Sequence, residues 1–261
     1  MRNVWTIAAK EIRIYLTTPV SFALAATFVL LNAFFFERLV VQFQSLMLLY
    51  QDRTEVAESL NLTDYVMTPM FFWMVTFLLF VLPLLTMRLF AEERRARTLE
   101  LLMTAPVRSI EIVLGKFLGA SSLMVGMVLL TGLFPLALAF LGTSAGESVL
   151  DVRTVLSGYV GVIFAGAAFV SLGMFTSSFT DSQLVAAILS LTLSVLFLII
   201  GLAAPGLEGP WREFFAYVSL AGHVSDFARG LIRAQALVYY ASLIGLGVFL
   251  SYRVIEAQRW R

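Results

Sequence analysis

Few residues in this 261-residue chain stand in patterns that chemistry needs. Gly142-Thr-Ser-Ala-Gly146 fits the G-x-S-x-G pattern of a serine nucleophile, and His223, the single histidine, is the one imidazole base on offer. That pattern acts on a strand-to-helix elbow, whereas here it closes a long uncharged run and opens a loop. There is no G-x-x-x-x-G-K-[ST] phosphate loop and no H-E-x-x-H pair, so neither route to ATP or zinc exists. The absence of cysteine removes thiolate nucleophiles, thiolate metal sites and disulfides. What remains is charge, concentrated in Arg88-Leu-Phe-Ala-Glu-Glu-Arg-Arg-Ala-Arg-Thr-Leu-Glu100 and its continuation to Lys116. On a helix Glu93 and Arg97 stand at i,i+4, while Glu92–Arg95 and Arg97–Glu100 stand at i,i+3. Such pairs favour a solvated helix by a few tenths of a kcal/mol each. Leu99, Leu102 and Met103 give it one apolar edge, Pro106 ends it, and Ser109 is the expected N-cap of the next helix. A short charged helix of this kind suits the docking of another protein; an inert loop satisfies the same periodicity.

The elements that position this loop follow from composition. Sixty per cent of the residues are hydrophobic and 13% charged, against roughly 45–50% and about 25% in soluble domains. Six stretches carry no Asp, Glu, Lys or Arg: Ile14–Phe36, Tyr65–Met87, Phe117–Gly146, Thr154–Thr180, Ser182–Leu207 and Ala234–Tyr252. They run from 19 to 30 residues, and a helix needs about 20 to cross the hydrocarbon layer. The composition therefore predicts an all-α polytopic membrane protein and excludes a soluble enzyme or a secreted disulfide scaffold. A net charge of +1 gives no footing for nucleic acid. We place the spans at about 19–36, 66–88, 112–140, 155–178, 183–204 and 234–252 of a single domain, 1–261, with 88–111 as the loop between spans two and three. Lys and Arg divide twelve to six between the two sides, which predicts both termini in the cytoplasm. Residues 1–18 carry a polar stripe, Asn3, Thr6, Lys10, Arg13 and Thr17, as an interfacial amphipathic helix does. Outside, Leu39–Gln51 reads as a helix lying on the membrane face. In segment 205–233, Pro205-Gly206 and Gly209-Pro210 break the fifth span, and uncharged Phe214–Ser225 is too short to cross, so it dips in and returns. The uncharged spans hold no acid–base relay, which argues against an ion-coupled secondary transporter, the alternative reading alongside an ATP-independent channel.

With those motifs in place, the chain resembles the permease subunits of type-2 ABC exporters, most closely their GldF-like branch, which is related to NosY-like permeases. The stretches that carry the resemblance are Lys10-Glu11 with Thr18-Pro19, Leu84–Arg95, Thr98–Lys116 and Tyr217–Gly230. It implies a bacterial inner-membrane protein that pairs with a second permease copy or a paralogue. Each permease docks a cytoplasmic ABC ATPase, two copies in all, through Lys10, Glu11, Glu92, Glu93, Arg94, Arg95, Thr98 and Glu100. ATP and Mg sit on that ATPase, and this chain holds no cofactor. The resemblance further implies re-entrant outer helices capping the path, with an outer gate at His223, Asp226, Arg229 and Gly230, surrounding membrane lipids, and an auxiliary GldG-like envelope protein. One position departs from the family pattern: Arg97 stands where the family carries Gly before Thr-Leu-Glu, which predicts a rigid helix instead of a bend.

Overall fold

Helix formation in this chain follows from long uninterrupted apolar runs whose backbone must satisfy itself in lipid. The structure, a computed structural model, describes residues 2–52, 60–98, 107–141 and 150–259. It is helical throughout them, with no strand. In chain order the α-helices are α1 (Arg2–Thr17), α2 (Pro19–Leu49), α3 (Thr68–Thr86), α4 (Arg88–Arg95), α5 (Ser109–Leu130), α6 (Leu133–Leu141), α7 (Val152–Phe179), α8 (Gln183–Ile199), α9 (Pro210–Val218), α10 (Leu220–Ala228) and α11 (Ala234–Arg259). Six segments are long and apolar enough to span: Pro19–Leu49, Thr63–Arg95, Ser109–Phe140, Val152–Phe179, Gln183–Gly206 and Ala234–Arg259.

α7 is the centre of the bundle. It packs against α3, α4, α5, α8, α10 and α11, and its inner face is buried from Val155 to Ser178. Small residues let its neighbours approach: a Cβ on Gly158 would meet the Phe71 ring, and one on Gly173 would meet Thr86 and Ser190. By contrast α2 and α8 bury little and turn Phe34, Leu30, Leu184 and Ile188 outward.

Three expectations need correction. Leu39–Gln51 is no separate surface helix, because α2 runs unbroken to Leu49; nothing between Val20 and Leu49 is Gly or Pro. Within α2 Arg38 reaches back over the Phe34 ring, 5.1 Å to the centroid, and pairs with Glu37 at 3.7 Å. Ser109 is not the N-cap but the first helical residue; the free N–H of Arg108 bonds the Glu111 carboxylate at 3.1 Å instead. The charged helix is shorter than its pairs predict. α4 ends at Arg95 and Arg97 takes φ +55, which takes Arg97 off the helix that would pair it with Glu93; Glu92 and Arg95, both within α4, are not paired with each other either.

Beyond α8 the chain breaks as Pro205 and Gly209 dictate: a 3₁₀ turn, Ile200–Gly206, leads to α9, and α9 bends into α10 at Ser219. α9 is exposed along its length, whereas α10 buries Leu220, His223, Val224, Phe227 and Ala228. The Gly142–Gly146 motif with Ser144, and Glu100 of the charged loop, lie outside the described residues.

Candidate functional site

Lys116 decides how the charged loop is held. It stands on α5 with 2% of its side chain exposed and donates to Glu11 Oε1 of α1 and Glu93 Oε1 of α4, both at 2.8 Å. The Phe90 ring lies 5.2 Å from the same ammonium. Two carboxylates on one buried cation leave a surplus negative charge, which Lys10 approaches at 3.8 Å from Glu93 Oε1. Such a cluster is weak as a source of net stability, yet losing one member strands a buried charge. Its effect is positional: α1 meets the consecutive helices α4 and α5 on one nitrogen.

α1 can reach that nitrogen because α5 is smooth where they cross. Gly115 and Gly119 lie against Ile7, Ala8 and Glu11, and a Cβ on Gly119 would sit 2.6 Å from the Glu11 Cβ. The face of α1 turned inward carries Ala8, Glu11 and Tyr15, while Lys10, Arg13 and Thr17 face outward. Asn3 donates to Glu111 of α5 at 3.2 Å, and Tyr15 donates to the Leu85 carbonyl of α3 at 3.4 Å. Burial, with the Glu11 carboxylate nearby, pushes the Tyr15 hydroxyl well above its ordinary pKa.

The other face of α4 is tied to the end of α7. Ser177 Oγ accepts from the amides of Phe90 and Ala91 at 3.0 and 3.1 Å and donates to the Met87 carbonyl at 2.9 Å. A helix start leaves such amides unpaired, and here a hydroxyl from another helix supplies the cap. Arg94 continues the seam, donating to the Ser178 carbonyl at 2.9 Å and pairing with Asp181 at 3.1 Å. Glu92 and Arg95 are exposed and have no ion pair among the described residues, and Thr98 bonds the Glu93 carbonyl at 3.3 Å. Between α1, the start of α2 and the α3–α4 junction lies a cleft of about 400 Å³.

The second cluster sits at the opposite end of α7. His223 Nε2 meets the Tyr217 carbonyl at 2.9 Å, and its ring stacks near Tyr239 with centroids 4.3 Å apart. Burial lowers its pKa below the usual imidazole value, against the raising effect of the Tyr217 carbonyl and of Asp226. Asp226 pairs with Arg233 at 3.1 Å, not with Arg229, which is exposed. Gly230, at φ +80, closes α10 with bonds from Gly230 N to Phe227 O and Leu231 N to Asp226 O, the Schellman pattern. A Cβ there would also lie 2.8 Å from Thr154 Oγ1. Nearby, Asp151 caps α7, and bonds from Thr154 and the Arg153 amide hold its carboxyl below the ordinary range.

Residues 5–214 match the family described as ABC-2 family transporter protein. The chain belongs to that family. It is thus a multi-pass permease subunit of an ABC transporter, and the ATPase with which it associates is a separate subunit. No curated protein matches it. The match takes in the whole Lys116 cluster and the α4 seam and ends within α9, so His223, Asp226, Arg229 and Gly230 stand beyond the matched residues of the permease. Sequence reasoning did not single out Lys116 or Ser177. The signal for Lys116 was available: it is the one charge between Ile112 and Gly146, directly after a small residue. Ser177 had none, since a serine in an apolar helix shows its partner only when another chain segment arrives.

Proposed function

We propose that α4 is the element through which the ATPase acts. The observation that carries this reading is the way α4 is held: one side is fixed to α7 by Ser177 and Arg94, another to α1 and α5 by Lys116, while Glu92 and Arg95 stay exposed. A partner pressing on that free side moves three helices together. On this reading Glu92, Arg95, Lys10 and Thr98 meet the ATPase, with Glu100, and Glu11, Glu93 and Arg94 set the angle of the helix. Two ATPase copies serve a pair of permeases, this chain with a second copy or a paralogue, in the bacterial inner membrane with both termini cytoplasmic. The complex exports a substrate or, in the manner of the GldF-like branch with a GldG-like protein, drives an envelope or gliding-type process. His223, Asp226, Arg229 and Gly230 form its outer gate.

The geometry selects the test. Glu93→Lys would set a cation against Lys116 and probe folding, so the exposed pair is the cleaner choice. Glu92→Lys with Arg95→Glu is expected to lower co-purification of the ATPase about tenfold, as reversed charges at an interface do, with membrane insertion unchanged. Undiminished co-purification would overturn the docking role of α4.

A further inference from the structure

The last carbonyls of a helix have no partner within it. α9 ends at Val218, and side chains from two other helices take its final two carbonyls. His223 of α10 bonds the Tyr217 carbonyl, and the Tyr239 hydroxyl of α11 donates to the Val218 carbonyl at 2.7 Å, a full-strength O–H···O length. Tyr239 is buried, and its ring is set by His223 and Tyr217, with centroids 4.3 and 5.7 Å away. Little else ties α9 down. None of its residues is buried. It packs on the 3₁₀ turn Ile200–Gly206, and beyond each other the two lie only against α8 and α10; no other helix runs along them among the described residues. At the elbow Ser219 is buried against that turn, where a Cβ on Gly201 would sit 2.3 Å from its Oγ. The 3₁₀ turn and α9 thus form an outer unit carried on the end of span five. Between this unit, α10 and α11 lies a cleft of about 500 Å³, lined by Glu213, Tyr217, His223, Asp226, Gln235 and Ala236 among others.

We propose that Tyr239 is the positioning residue of this outer unit. Its hydroxyl fastens the end of span five to span six, and without that bond residues 200–218 swing away on α8 and widen the cleft. His223 does not supply the same tie, because it stands on α10, which follows α9 directly through the Ser219 elbow, whereas Tyr239 reaches in from a separate span. One neutral hydrogen bond shifts an equilibrium by up to about tenfold. That is enough to set a resting position and little enough to be released by a shift of α8. The neighbouring tyrosine is a built-in contrast. Tyr240 is fully buried, stacks on Phe164 with centroids 5.9 Å apart, and its hydroxyl has no hydrogen-bond partner among the described residues. Neither ATPase docking on α4 nor the gate residues of α10 are needed for the Tyr239 bond to act.

The test uses the full chain in lipid nanodiscs, with Ala236→Cys as the reporter. Ala236 is fully buried and lines the cleft, and the chain has no cysteine of its own. Maleimide labelling of that thiol should be slow, about tenfold faster once Tyr239→Phe is added, and unchanged by Tyr240→Phe. A second reporter, Ala120→Cys, is equally buried but on α5, and Tyr239→Phe should leave its rate as it was. Equal labelling of Ala236→Cys with and without Tyr239→Phe overturns the assignment. So does an equal acceleration by Tyr240→Phe, or at Ala120→Cys, either of which would mean general loosening and not release of α9. If Ala236→Cys does not fold, spin labels on Arg212→Cys of α9 and Ser242→Cys of α11, both exposed, read the same step. Tyr239→Phe should then extend the distance distribution to longer values, and a distribution identical to that of the labelled parent overturns the assignment.

Discussion

Lys116 is the residue whose removal tells most about the permease. Lys116→Met leaves Glu11 and Glu93 buried without their cation, an effect of about 3–5 kcal/mol for broken buried pairs. Adding Glu11→Gln is expected to restore part of the loss, with a coupling of at least about 1 kcal/mol in a double-mutant cycle read by thermal unfolding in detergent. Arg97 makes the opposite case. At φ +55 it occupies the left-handed region at the position where the resembling family carries Gly, so the bend survives although its usual residue does not. The expectation of a rigid helix there failed because Glu93, the i,i+4 partner, is drawn inward to Lys116. Arg97→Gly should therefore stabilise, by up to about 1 kcal/mol, read by the same melting experiment. His223 supplies a pH test. Its folded pKa lies below the unfolded value of 6.5, so its contribution is fully present above pH 6.5 and is lost as pH falls through the folded value. Melting temperature should drop between pH 7.5 and 5.5, and His223→Gln should flatten that drop.

Among the elements, α4 depends least on itself. Eight residues make a marginal helix in isolation, and its first free amides are capped by Ser177 of α7. Ser177→Ala removes that acceptor and should cost about 1–3 kcal/mol, with faster hydrogen exchange at the Phe90 and Ala91 amides as the specific signature. Exchange at those two amides equal to wild type would show that α4 does not need the cap. α1 was legible as an amphipathic helix from its polar stripe, yet the stripe does not reveal that Glu11 faces inward. A carboxylate on the buried side looks like a pattern error until Lys116 is placed opposite it.

At the scale of the molecule, α7 joins the two clusters. Thr154, against Gly230, and Ser177, under α4, are 23 positions apart on one helix, about 35 Å. A rigid, mostly buried helix with α4 at one end and α10 at the other is a direct mechanical link between them. The orientation that follows from the charge distribution has its own measurement. The chain has no cysteine, so single cysteines at Asp181 and Glu208, the two ends of the fifth span, report unambiguously. A membrane-impermeant maleimide added outside the cell should label Glu208→Cys directly and Asp181→Cys only after permeabilisation.

Composition and spacing alone determined the class of protein, its six spans, the amphipathic first helix and the break at Pro205–Pro210, because all of these are local consequences of hydrophobicity and of backbone restriction at Gly and Pro. The charged loop was found as a feature for the same reason. Tertiary structure alone decided what its charges do. Glu93 abandons its helical neighbours for Lys116, Asp226 takes Arg233 instead of Arg229, and Ser177 caps a helix nearly ninety residues away in sequence. A buried charge takes the partner that relieves its desolvation, and which partner is near is a property of packing, not of spacing along the chain.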